Sequence, residues 1–133
     1  MPPRRRIEPA LGAAALAAWR VDGPQVSREV LAAAVRYTLE ELSVRAPGRS
    51  VEVRVPPFGA VQCIVGPTHR RGTPPNTVET DAATWLALAT GRIGWAAALE
   101  SGTVRWSGLR ADLTDHLPLF VERPASGSGP VIE

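Results

Sequence analysis

The sequence predicts an α+β fold, a mostly antiparallel sheet of four to five strands covered by helices, and three observations predict it. Apolar residues recur at helical spacing between Pro9 and Ala46, the period then changes to two over Val51, Val53 and Val55, and helical spacing returns after Asp81. Two helices, a hairpin, a third strand, two helices, a strand and a last helix follow in that order, which suits helices packed on one antiparallel sheet. At 133 residues the chain holds one domain. The expected division is a flexible basic tail at 1–8, a single domain at 9–123 and a flexible Ser/Gly/Pro tail at 124–133.

Pro9 suits a first helical position, and Leu11, Ala15 and Trp19 then recur at i, i+4, i+8 on one face. Asp22, Gly23 and Pro24 break that helix. Ser27 offers an N-cap for the next, with Val26 and Leu31 placed as a hydrophobic staple. Its apolar stripe is Leu31, Val35, Thr38, Leu39 and Leu42, and Pro47 and Gly48 stop it. The alternation Val51, Val53, Val55 gives a strand with one wet face. Pro56 to Gly59 turn the chain, and Val61, Cys63 and Val65 return it as a hairpin. Residues 66–75 read as a loop, Thr77 to Thr80 as a short third strand, and Pro74 and Pro75 favour an edge position for it.

Asp81 is a natural N-cap for a helix carrying Trp85, Leu86, Leu88 and Ala89, which Gly91 ends. A second short helix spans about Trp95 to Glu100, closed by Ser101 and Gly102. Thr103 to Ser107 reads as a strand with Val104 and Trp106 on one side. Leu109, Leu113 and Leu117 recur at i, i+4, i+8 and predict a last helix that Pro118 terminates.

Charge and chemistry exclude several classes. The 15 basic residues are all Arg, so a formal charge of only +2 still gives a pI near 9.5. Arg4, Arg5 and Arg6 carry the excess on a solubilising tail, and nucleic acid is not an expected partner. Glu8 and Pro9 interrupt what would be a signal peptide, and no run approaches the roughly 20 apolar residues of a membrane span, so a cytoplasmic protein without an integral membrane segment is expected. One Cys and two His, His69 and His116, leave a metal site improbable. Walker loops, dinucleotide fingerprints and nucleophile elbows are absent from the sequence, and no cofactor is expected. Cys63 stands mid-strand among apolar residues, where a buried thiol is expected in place of a nucleophile.

The run Thr80 to Gly108, TDAATWLALATGRIGWAAALESGTVRWSG, together with the hairpin VEVRVPPFGAVQCIVGP, resembles the sterol carrier protein family, and more closely the compact actinobacterial branch of sterol-carrier-like proteins. The resemblance runs from about Ser27 to Phe120. It implies a non-enzymatic α+β protein whose helices lie over a curved sheet and enclose an apolar cavity for a fatty acyl chain, acyl-CoA or sterol-like lipid. It also implies cavity-wall positions at Trp85, Leu88, Trp95, Leu99 and Trp106. His69, Arg70 and Arg71 form the local basic cluster inside the body, and guanidinium geometry makes Arg70 and Arg71 candidates for an anionic headgroup. The alternative is an accessory or dimerisation module that uses the same sheet and helices to hold a protein partner or a second copy, with no lipid cargo.

Overall fold

The computed structural model of the chain describes residues 6–67 and 76–121. Arg4, Arg5, the cluster His69 to Arg71, Pro74, Pro75 and the tail at 124–133 therefore lie outside the described residues.

The first helix, α1, spans Pro9–Asp22, with Pro9 at its first turn and the Glu8 side chain accepting the Ala10 N–H. Just upstream, the backbone N–H groups of Arg6 and Ile7 both donate to the Glu40 carboxylate, so the chain is tied from Arg6 onward, within the stretch expected to be a loose tail. The buried face of α1 is Gly12, Ala15, Leu16 and Trp19. Leu11, expected on that face, is 66% exposed. In an Ala-rich helix with apolar residues all round, the pattern alone does not choose a face; the choice falls to the side on which Gly12 permits the closest approach to Tyr37.

The second helix, α2, spans Arg28–Arg45, and the Ser27 hydroxyl accepts the Val30 N–H as its cap. The expected stripe is buried at Val35, Thr38, Leu39 and Leu42, with Leu31 only partly covered; Ala34, Tyr37 and Ser43 join it.

Four strands, β1 (Val51–Val55), β2 (Gly59–Cys63), β3 (Asn76–Thr80) and β4 (Val104–Ser107), form a sheet in the order β2-β1-β3-β4 among the described residues. Two of its three pairings are antiparallel, and β1 with β3 is parallel. The third strand is therefore central, which corrects the edge position that the two prolines suggested: they precede its first residue and take no donor from its ladder. Asn76, at the start of β3, is buried because both ends of its amide are used. Its Nδ2 donates to Ser50 O and its Oδ1 accepts the Arg110 N–H.

The period-2 alternation divides the sheet as expected. Val51, Val53, Val55 and Val78 are fully buried beneath the helices, while Glu52, Arg54, Glu79 and Arg105 occupy the other face, where Arg54 pairs with Glu52 at 2.9 Å. Two further helices complete the covering layer, α3 (Ala82–Thr90) and α4 (Trp95–Ser101), each closed by a left-handed glycine, Gly91 and Gly102.

The helix expected over Leu109 to Leu117 is absent. A single 3-10 turn, Thr114–His116, stands in its place, with Leu109 fully exposed and Leu113 fully buried. The physical reason is local competition. The Asp112 side chain accepts both the N–H and the hydroxyl of Thr114, which offers the backbone an alternative to helical bonds, and Gly108 has already left helical space at φ 101°. No helix among the described residues is long and apolar enough to cross a membrane.

Candidate functional site

Asp81 accepts the Thr84 N–H at 2.7 Å and so starts α3 in register with the sheet below it. Several backbone hydrogen bonds converge on the last turn of α3. Gly91 donates to Leu88 O, Arg92 donates to Ala87 O, and Ala89 O accepts two N–H groups, from Leu119 and Phe120. That pair of bonds pins the segment 117–121 against the end of α3. Between the end of α3, the start of α4 and this segment lies a cavity of about 630 Å³. Leu88, Ile93, Trp95, Leu117, Pro118 and Val121 give it apolar walls, and Thr90 and Thr114 add hydroxyls. The volume falls within the roughly 300–1,000 Å³ of ordinary small-molecule sites.

The sequence candidates divide on this geometry. Leu88 and Trp95 meet in the cavity wall, the first fully buried and the second 8% exposed. Trp85 is buried away from it, and its Nε1–H donates to the Thr38 hydroxyl at 2.7 Å. Leu99 is partly buried against the core. Trp106 pairs with Val78 across β3 and β4 and thus shares the helix-covered face, yet it is 58% exposed, since β4 is the last strand in the order. Arg70 and Arg71 lie outside the described residues. The cavity residues not anticipated are Ile93, Leu117, Pro118 and Val121. The run Leu117-Pro118-Leu119-Phe120 was the available signal, since an apolar run that cannot continue a helix must pack somewhere.

Two titratable groups depart from their ordinary range. Cys63 is fully buried, and burial pushes its thiol up to about 12, so it is protonated near neutral pH. Asp112 lies two residues from the cavity's Thr114, and that residue's hydroxyl and N–H hold its carboxyl below the usual carboxylate range. This is a turn, not an activated acid. Among the described residues no group of three His, Cys, Asp or Glu could hold a metal ion.

A second depression, about 1240 Å³, runs between α2 and β2 and shares no lining residue with the first. Ala32, Ala33 and Leu39 border it on the helix side, Phe58 and Val61 on the strand side, and Arg36 and Arg49 stand on its rim.

No curated protein matches the chain. A family model described as a bacterial SCP (sterol carrier protein) ortholog matches residues 27–119, more than half of the chain and the segment that holds α2, the whole sheet, α3, α4 and nearly all of the cavity wall. With that match and this fold, the chain belongs to the bacterial sterol carrier protein ortholog family.

Proposed function

We propose that the protein is a non-enzymatic carrier of a hydrophobic ligand, a fatty acyl chain or a sterol-like lipid, bound in the 630 Å³ cavity between α3, α4 and the segment 117–121. Family membership supports lipid carriage in general and a generally non-catalytic role. The observation that carries the site is that Leu88 and Trp95 border one apolar cavity together with Leu117 and Val121. An acyl chain desolvates at about 0.8 kcal/mol per buried CH₂, so ten methylenes contribute about 8 kcal/mol gross before ordering costs are subtracted. Since about 8 kcal/mol net is what a micromolar Kd requires, ten methylenes alone give affinity no tighter than micromolar. In this reading Arg70 and Arg71 hold the anionic end of a fatty acid or acyl-CoA.

Titration with saturated fatty acids of increasing length, read by intrinsic Trp fluorescence, gives a saturable change through Trp95, with affinity rising with chain length. Ala96→Trp, which adds bulk at an exposed position on the cavity wall, weakens binding without altering the fold. Arg70→Ala with Arg71→Ala weakens fatty acid but not the matching fatty alcohol. Absence of saturable binding with fatty acid, fatty alcohol and sterol alike sinks the carrier reading.

A further inference from the structure

We propose that the groove between α2 and the outer edge of β2 docks an extended acidic segment of another protein, which joins the sheet as a strand beside β2. Among the described residues β2 is the terminal strand of the sheet. At one end of its outer edge the Phe58 carbonyl accepts Arg36 Nε at 2.8 Å, and at the other the Ile64 N–H donates to Ala46 O at 2.6 Å. Backbone groups of alternate residues face the same edge, so between these two the outward N–H and C=O groups belong to Ala60 and Gln62. No described residue pairs with them. Phe58 and Ile64 are six residues apart, about 20 Å at about 3.3 Å per residue, which is room for a strand of five residues.

The space beside that edge is already shaped. The groove is lined along the strand by Gly59 to Gln62, and on the helix side Ala32 and Ala33 leave room where larger residues would close it. An alkyl chain laid there would cover the outward backbone groups without replacing their water. A peptide strand replaces it bond for bond, which is the basis of β-strand addition. Charge names the class of peptide. Of the acidic residues lining the groove, Glu40 spends its carboxylate on the Arg6 and Ile7 N–H groups, leaving Glu29 against Arg6, Arg36 and Arg49. Arg36 uses its Nε on Phe58, and Arg49 its Nε on Gln62 Oε1 at 3.4 Å, so one guanidinium stands at each end of the strand with its terminal N–H groups directed to no described partner. The proposal is independent of lipid carriage, which uses different residues.

Fluorescence anisotropy with a fluorescein-labelled Glu-Val-Thr-Val-Glu amide tests it, against the Lys-Val-Thr-Val-Lys analogue and against the acidic peptide with alternate amides N-methylated. Saturable binding of the acidic peptide, lost in the lysine and N-methylated analogues, is the expected result. Arg36→Gln and Arg49→Gln each weaken it about twofold to fivefold, and raised salt weakens it further. Ala60→Pro, which removes an outward donor and leaves the β1 ladder intact, abolishes it. The N-methylated peptide makes the same test without altering the protein. Equal binding of the acidic and lysine peptides, undiminished binding of the N-methylated one, no saturable binding, or self-association of the protein that Ala60→Pro abolishes would each overturn the proposal, the last because the occupant would be a second copy.

Discussion

Thr38 does two jobs with one hydroxyl. Its proton goes to the carbonyls of Ala34 and Val35 at 2.9 Å, and its lone pair accepts the indole N–H of Trp85, the largest fully buried side chain. A buried indole N–H needs an acceptor, and the nearest helix carries one at the position that the apolar stripe alone would fill with Val. Thr38→Val keeps the shape and deletes the acceptor. It is expected to destabilise the protein by about 1–3 kcal/mol, the cost of an unsatisfied buried donor, in urea unfolding followed by Trp fluorescence. Thr38→Ser restores most of that loss. A Val variant as stable as wild type would show that Trp85 is held by packing alone. Trp85, expected as a cavity wall, lies outside the lining of the pocket between α3 and α4. An aromatic at helical spacing reads the same whether it faces a ligand or a neighbouring helix, and Thr38 lies 47 residues away in sequence.

Elements whose ends carry chemistry were legible, and those defined by spacing alone were not. Ser27, Asp81, Gly91 and Gly102 each named a helix end, and each acts there through a side-chain cap or a left-handed backbone. The stripe Leu109, Leu113, Leu117 had the same helical spacing as α2 but no cap, and the Asp112–Thr114 turn displaced it. The period-2 valines gave the strands, while the parallel pairing of β1 with β3 depends on a connection through residues 64–75 that no pattern specifies. Leu88 and Trp95, expected from the family signature, line the pocket between α3 and α4, and Leu117, Pro118 and Val121, which line it with them, were not expected there. Asp81→Ala removes the N-cap of α3 and is expected to cost about 1 kcal/mol in thermal or urea unfolding, with Asp81→Asn close to neutral. Because α3 carries Leu88 into the cavity wall, the Ala variant should also weaken acyl binding modestly; an unchanged stability would mean that tertiary packing alone starts the helix.

The family match begins at residue 27, yet α1 precedes it and buries Ala15, Leu16 and Trp19 in the same core. The joint between α1 and the rest is Gly12. A Cβ at that position would overlap the ring of Tyr37, so glycine is required for close approach, not for backbone freedom. Tyr37 in turn stacks on Phe120 with centroids 5.3 Å apart, and the Phe120 carbonyl accepts Arg20 of α1 at 3.1 Å. Arg45 lies over the Phe120 ring and donates to Leu119 O at 2.6 Å. A path of packed groups therefore runs from α1 through α2 to the segment 117–121, which lines one side of the cavity. Gly12→Ala must push α1 away from Tyr37 or force that ring against Phe120. Overpacking of this kind costs about 1–3 kcal/mol. The expected outcome is a lower urea midpoint at which far-UV circular dichroism and Trp fluorescence change together, since Trp19 and Trp85 sit in one core, accompanied by weaker acyl binding at a site that Gly12 does not line. Two separate transitions would make α1 an independent unit, and a shifted midpoint with unchanged acyl affinity would break the path at Phe120.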